Sequence, residues 1–250
     1  MAPDAGEVLV EGSRATGGLL RRHGWKVLLL FLGVLLPMWV FMELADEIHE
    51  SETIAFDEPI LMFANGMARE GFDRIFLFFS ELGYAWGVVP ADIGLVVVML
   101  ALRRWRHAVF VALSTGGSAL LNMATKQLFA RERPGLWESI APEATFSFPS
   151  GHAMGSATLA MVLVLLAWPT RARWWVVAAM AVFVPMVGLS RIYLGVHYPS
   201  DILAGWAAAS IWVVGVYLVL YHPPRGGWRR RRGPGHGDAI ALEARASDRR

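Results

Sequence analysis

A chain of 250 residues with 55% hydrophobic and only 18% charged side chains, and a mean hydropathy of +0.44, is too apolar for a soluble domain of its size. Cysteine is absent, which excludes disulfides, thiolate nucleophiles and thiolate metal sites and leaves the redox compartment unread. The formal net charge of +2 is small, so what matters is where the arginines gather rather than their sum.

In chain order, residues 1–24 form a basic tail rich in Gly and Ala, ending in Arg21-Arg22-His23. Trp25 to about Leu44 is apolar and long enough, at ~1.5 Å per residue, to cross a hydrocarbon core of ~30 Å. A cleaved signal peptide is the alternative reading, but the run is longer than a signal core and no small-x-small cleavage site follows. Glu43 to Asp73 is acidic and is expected outside the bilayer, with an interfacial helix around Pro59 to Ala68. A second span fits Leu82 to Leu102. Asp92 falls inside it, facing other helices or a cavity, with a structural hydrogen bond its expected role. After the basic loop Arg103-Arg104-Trp105-Arg106-His107 comes a third span, Ala108 to Phe129, whose Gly116-Gly117-Ser118 permits close packing. An ordered loop runs from Lys126 to Ser150, followed by a fourth span, Gly151 to Trp168. The fifth, Trp174 to Leu189, holds Pro185 as a kink or boundary. Ile202 to Tyr221 is the sixth, and 222–250 is a basic tail carrying Arg229 to Arg232. The expected fold is therefore an all-α polytopic membrane protein of about six transmembrane helices. Its membrane domain is 25–221.

Lys and Arg flanking spans are retained in the cytoplasm. Arg21, Arg22, Lys26, Arg103, Arg104, Arg106, Arg171, Arg173 and Arg225 with the Arg229 to Arg232 run all fall on one side of a six-span arrangement, which assigns that side to the cytoplasm. The terminal arginine run then reads as topology and attraction to anionic lipid rather than nucleic-acid binding. Lys126, Arg131, Arg133 and Arg191 fall on the other side, where topology disfavours them, and an anionic ligand would account for their presence.

Three polar segments share that outer side. Lys126 is followed after six residues by Arg133-Pro134; Phe148-Pro149-Ser150-Gly151-His152 opens the fourth span; and Ser190 to Asp201 separates the last two. Lys126, Arg133 and Arg191 supply positive charge, and an arginine can grip a phosphate through two parallel hydrogen bonds. Ser150 and Gly151 start a helix, where free amides and the macrodipole favour an anion. His152 and His197 can divide nucleophile and acid roles, with Asp201, four residues after His197, bonding one ring nitrogen and leaving the other free to attack. Each feature alone has a plainer reading: Lys126 as a snorkelling lysine, Ser150 as a helix cap, Asp201 as a favourable charge in a first helical turn. Arg131 and Glu132 are expected to pair or face water and are not assigned to the site.

Together these segments resemble the type 2 phosphatidic acid phosphatase superfamily, which also includes bacterial acid phosphatases, glucose-6-phosphatase and vanadium haloperoxidases. Its signature is Lys, six spacers, Arg-Pro; then Pro-Ser-Gly-His; then Ser-Arg, five spacers, His, three spacers, Asp. Lys126 to Pro134, Pro149 to His152 and Ser190 to Asp201 match it without departure, and the motif-bearing core covers about 70–221. The resemblance implies a metal-independent, cofactor-free lipid phosphatase at the outer face of the cytoplasmic membrane. His197 would be the nucleophile, Asp201 its orienter and His152 the acid, while Lys126, Arg133, Arg191, Ser150 and Gly151 would hold the phosphate. Undecaprenyl diphosphate, phosphatidic acid and phosphatidylglycerol phosphate are the candidate substrates, with the bilayer as partner and no nucleic acid. Vanadate-dependent halide oxidation and non-catalytic lipid binding or transport stand as alternatives.

Overall fold

The structure is a computed structural model that describes Gly24 and residues 27–50 and 53–222. The two basic tails, including Arg229 to Arg232, lie outside the described residues. All regular structure among those residues is helical: α1 Val27–His49, with a π-helical turn at Phe31–Leu35, then α2 Asp57–Gly66, α3 Glu70–Leu82, α4 Val88–Ala101, α5 Trp105–Phe129, α6 Gly151–Ala167, α7 Arg173–Tyr193 and α8 Pro199–Tyr221.

Four of these, α1, α5, α7 and α8, are long and apolar enough to cross a membrane. Helices α4 and α6 are apolar but shorter, at 14 and 17 residues, or about 21 and 26 Å of rise. Six apolar helices thus stand where six spans are expected, although the second is trimmed. The Phe-rich piece before the second span, expected at the membrane interface, is α3, a separate helix packed on α7. The helix expected around residues 59–68 is α2, and Pro185 sits within α7 rather than at its boundary.

Small residues on facing surfaces bring the central helices close. Helix α6 packs on both α7 and α8, where Met154, Ala157, Ala208 and Ala209 form one buried cluster. Gly205 of α8 lies so close to the start of α6 that a Cβ there would meet the Ser150 carbonyl at 2.9 Å and the Met154 amide at 3.1 Å. Gly117 is filled from the other side by the Trp212 indole, and Ser118 bonds Thr158 across α5 and α6 at 2.8 Å. The outer surfaces are apolar instead of charged, with Trp39, Met42, Ile93, Leu120, Val182 and Val219 exposed. Large exposed apolar surface on a helical bundle is what lipid, not water, accepts.

Chain direction sorts the loops. The carboxyl ends of α1, α5 and α7 and the amino ends of α4, α6 and α8 lie at one end of the bundle. Arg103, Arg104, Arg106, Arg171 and Arg173 therefore lie at the opposite end, together with Trp168, Trp174 and Trp175, the aromatic type that favours a membrane–water boundary.

Candidate active site

The site is built where four helix ends meet. Helix α5 carries Lys126 on its last turn and closes on Ala130, whose φ of 46° is the left-handed conformation that ends many helices. That turn sends the chain into the loop bearing Arg131, Arg133 and Glu143. A backbone bond from Ser147 N–H to the Arg131 carbonyl, 2.8 Å, ties the two feet of the loop together. Arg133 holds it from inside, donating to the Thr145 carbonyl at 2.6 Å.

Ser150 caps α6, its Oγ accepting from the Ala153 amide at 3.4 Å, and its own N–H donates to the Asp201 carbonyl at 3.1 Å. The amino ends of α6 and α8 are thereby held side by side. On α7, Ser190 and Arg191 belong to the last turns of the helix. The chain then reverses so tightly that the amides of Val196 and His197 both reach the Arg191 carbonyl, at 3.2 and 3.3 Å. Gly195 makes this reversal at φ +67°, pressed under the Trp137 ring where a side chain would clash at 2.5 Å. Arg191 and His197 become neighbours through this turn.

His197 and Asp201 are wholly buried and Arg191 is 2% exposed, so every charge here must find a partner. Arg133 Nη1 lies 3.1 Å from His197 Nε2. Guanidinium can only donate, so Nε2 is the acceptor and the ring proton sits on Nδ1. Nδ1 faces Asp201 Oδ2 and Ser147 Oγ, each at 3.3 Å, while Ser147 Oγ donates to the same Asp201 oxygen at 2.5 Å. Asp201 Oδ2 also accepts from the Tyr198 amide at 2.9 Å, which fixes the first turn of α8.

The cation-rich half of the site holds a carboxylate of its own. The Glu143 carboxylate is gripped by Arg191 and by Arg133 Nη2, the latter at 2.6 Å, and stands 3.7 Å from His152 Nδ1 and 3.9 Å from His197 Nε2. Arg191 also donates to Ser80 of α3, and its Nε is buried without a partner among the described residues. Lys126 donates to the Phe146 carbonyl on the same loop. Glu143, Lys126, Gly151 and His152, with Tyr84, Asn122, Met123, Ala144 and Thr145, line a cavity of about 400 Å³. Tyr84, Asn122, Met123 and Gly151 also line a smaller cavity of about 150 Å³ that reaches Asp92, Ser118 and Thr158. Asp92 thus faces a cavity, but its Oδ1 has no hydrogen-bond partner among the described residues, contrary to the structural bond expected of it.

All eight residues singled out from the sequence are gathered at this end of the bundle. Three more were missed. Glu143 sits in a loop with no spacing rule to mark it, and Ser147 looks like any loop serine. Arg131, expected to pair or face water, does pair, but within the site: it bonds Asp201 Oδ1 at 2.6 Å and Asp57 Oδ2 at 2.8 Å. Glu132 is exposed, as one of its two expected fates.

The charges shift one another as this pairing requires. Burial pushes the His197 imidazole down to about 4, aided by Arg133 and Arg191 and opposed by Asp201, so it is neutral at pH 7. Burial alone would raise the Glu143 carboxyl, but Arg191, His197, Arg133 and His152 together hold it below the usual carboxylate range. Burial works against the Arg131 cation, yet Asp201 and Asp57 make it hold its proton more firmly than usual.

A bundle of lipid-facing helices whose ends converge on a histidine–aspartate pair and an arginine-lined anion seat defines a class of helical membrane protein. Residues 107–224, which span all three motif segments, match the model of the PAP2 superfamily, in keeping with the resemblance those segments carry. It is similar to phosphatidylglycerophosphatase B of Bacillus subtilis, 28% identical over 172 residues that span 67% of this chain and 84% of that one. It is also similar to the undecaprenyl-diphosphatase of Sulfolobus acidocaldarius, 28% identical over 198 residues, 76% of this chain and 86% of that one. The crystal structure of the first transmembrane PAP2 type phosphatidylglycerolphosphate phosphatase from Bacillus subtilis superposes with a TM-score of 0.63 at 29% identity, covering 72% of this chain and 94% of that one.

The neutral, buried imidazole has a consequence for stability. An unfolded chain protonates His197 near ~6.5, whereas the folded protein resists until about 4. Between these values the unfolded state binds the extra proton, so stability falls as pH drops through that window. Glu143, a depressed carboxylate, adds loss of the same sign at the acid end. Thermal unfolding in detergent between about pH 8 and about pH 4 should show the decline setting in below about 6.5, and His197→Gln should flatten its upper part; an unaltered slope in that variant contradicts a buried neutral imidazole.

Proposed function

We propose that this protein is an integral membrane phosphatase that hydrolyses a lipid phosphate or diphosphate through a phosphohistidine on His197, and that residues 25–221 form its catalytic domain. The observation that carries this reading is the seat of Glu143: a carboxylate held by Arg133 and Arg191 beside both histidines. Those contacts are what a phosphoryl group needs, and Glu143 stands in for its oxygens.

In the reaction the phosphate displaces Glu143. Arg133 and Arg191 transfer their hydrogen bonds to the phosphoryl oxygens, and the unpartnered Arg191 Nε supplies a further donor. Lys126, the Gly151 amide and the Ser150 hydroxyl add to the cradle at the amino end of α6. His197 Nε2, unprotonated, attacks phosphorus in line, so a P–N bond forms as the P–O bond to the lipid breaks. His152 gives its proton to the departing oxygen. The imidazole of His197 becomes cationic, and Asp201, hydrogen-bonded to Nδ1–H, stabilises that charge and keeps the ring orientation. Neutral His152 then takes a proton from water, whose oxygen attacks phosphorus and frees His197 and inorganic phosphate. General acid help of about 100- to 10,000-fold and electrostatic stabilisation of similar size are the typical contributions of such groups.

A lipid substrate suits this placement, because the cavity beside His152 shares walls with the smaller one between α4, α5 and α6, and an acyl or prenyl chain can stay among the apolar helices around them. The relatives' substrates, phosphatidylglycerophosphate and undecaprenyl diphosphate by their names, set the panel to assay. In orientation, the arginine-rich end faces the cytoplasm and the site faces outward across the cytoplasmic membrane.

Purified protein in detergent should release inorganic phosphate from lipid monophosphates or diphosphates in preference to soluble esters, with chelators changing little. His197→Ala should lower turnover by more than about 1,000-fold while the protein still elutes as a folded species; substantial turnover by that variant removes His197 as nucleophile. Glu143→Gln keeps the shape of the plug without its charge. Since a charge-assisted hydrogen bond contributes about 1.5–3 kcal/mol, KM and the inhibition constant of inorganic phosphate should fall roughly tenfold or more, and unchanged values would mean that Glu143 does not compete for the seat. For orientation, a tag at the C-terminus should resist protease added to intact cells and be cut only after permeabilisation.

A further inference from the structure

Behind the His197–Asp201 pair lies a second layer of charge. Arg131 donates from Nη1 to Asp201 Oδ1 at 2.6 Å and to Ser200 Oγ at 2.8 Å, and from Nη2 to Asp57 Oδ2 at 2.8 Å. Asp57 is held in turn by the Ser200 amide at 2.9 Å and the Ser200 hydroxyl at 2.6 Å. The guanidinium lies 4.0 Å over the Tyr198 ring. Asp57 is 2% exposed and Asp201 fully buried. Neither Asp57 nor Arg131 lines the cavity beside His152; both line a separate cavity of about 450 Å³ with Ile48, Phe129 and Tyr198. They therefore act through Asp201 and not on substrate.

The geometry poses an electrostatic problem that Asp57 solves. Asp201 turns Oδ2 to the imidazole, but a full cation sits against its other oxygen. In a buried, weakly screened setting, that cation alone would cancel much of the negative charge His197 needs as it becomes cationic. With Asp57 on the far side of the guanidinium, the triplet keeps a single net negative charge, and the rigid fork still fixes the rotation of the Asp201 carboxylate. Resting on the assignment of His197 as nucleophile, we infer that Asp57 and Arg131 form one positioning unit, in which Arg131 locks Asp201 and Asp57 offsets the charge of Arg131 so that Asp201 faces His197 as a full anion.

The charged and titratable groups that face His197 are Asp201 from α8, Arg191 from α7, His152 from α6, and Arg133 and Glu143 from the loop. Asp57 and Arg131 form the layer beyond Asp201, and changes there should reach the acid limb of the pH profile with opposite signs. Asp57→Asn removes a negative charge, disfavours the imidazolium, and should move the acid limb of kcat/KM to lower pH. Arg131→Gln removes a positive charge and should move it to higher pH.

The test is steady-state phosphate release by the full chain in detergent, with thermal unfolding recorded for each variant. Asp57→Asn should lower kcat roughly 10- to 100-fold while KM and the inhibition constant of inorganic phosphate stay within about threefold, because the anion seat is untouched. The double variant Asp57→Asn with Arg131→Gln, which has no uncompensated cation, should recover part of that loss, a coupling that neighbouring charges commonly show. A folded Asp57→Asn protein with unaltered kcat and acid limb, or a double variant no better than the single, overturns the inference. Where Asp57→Asn does not yield folded protein, the upward limb shift of Arg131→Gln decides, and its absence overturns the inference equally. Failure of the unaltered protein to release phosphate from any lipid would instead sink the phosphatase reading and this inference with it.

Discussion

Three carboxylates and three guanidinium groups meet at the end of a bundle whose flanks are made for lipid, and each of them is answered by an opposite charge. Glu143 takes Arg133 and Arg191; Asp201 and Asp57 share Arg131. Pairing at such depth is compulsory, since an uncompensated buried charge costs several kcal/mol. Much of the local architecture follows from it. The loop between α5 and α6 is held less by its own backbone than by Arg131 and Arg133 reaching across to α8, to α2 and to the reversal after α7. Apolar anchors in the loop are fewer: Phe148 and Pro134 are buried, and Trp137 and Ala141 pack against neighbouring clusters.

The same pairs set the chemistry. A guanidinium against Nε2 fixes the proton of His197 on Nδ1, next to Asp201 and Ser147. The imidazole is thus held with its lone pair toward the anion seat before any ligand arrives. Glu143 keeps that seat electrostatically satisfied in the meantime. Buried arginines without an anion would repel one another, and the Glu143 carboxylate offsets that repulsion.

Helix ends contribute through their placement. Helix α6 brings its amino end to the site, the first amides of α8 are taken up by Asp57 and the Tyr198 carbonyl, and the pairing of Ser150 N–H with the Asp201 carbonyl sets the spacing of the two helices. Helices α5 and α7 present carboxyl ends, where Lys126 and Arg191 are favourable cations. Gly205 and Gly195 permit two close approaches at the site, one between α6 and α8 and one beneath Trp137. Apolar packing further down the bundle, as around Phe110, Val162 and Val213, keeps those ends in register.

The six apolar helices, their direction, the end on which the three motif segments meet and all eight residues gathered there were legible from composition, span length and local spacing. These are properties of short stretches, and an apolar run of about 20 residues in a membrane satisfies its backbone as a helix whatever the side chains do later. The Phe-rich piece before the second span was expected at the interface, but the sequence could not say that it packs against α7, because that contact joins segments far apart in the chain. Nor could it bring Asp57, 144 residues from Asp201, into the same charge network, or place Glu143 in the anion seat. Local pattern records which faces are apolar and which ends are polar. The choice of partner for a buried charge depends on distances between segments far apart in the chain, and only the folded bundle decides those.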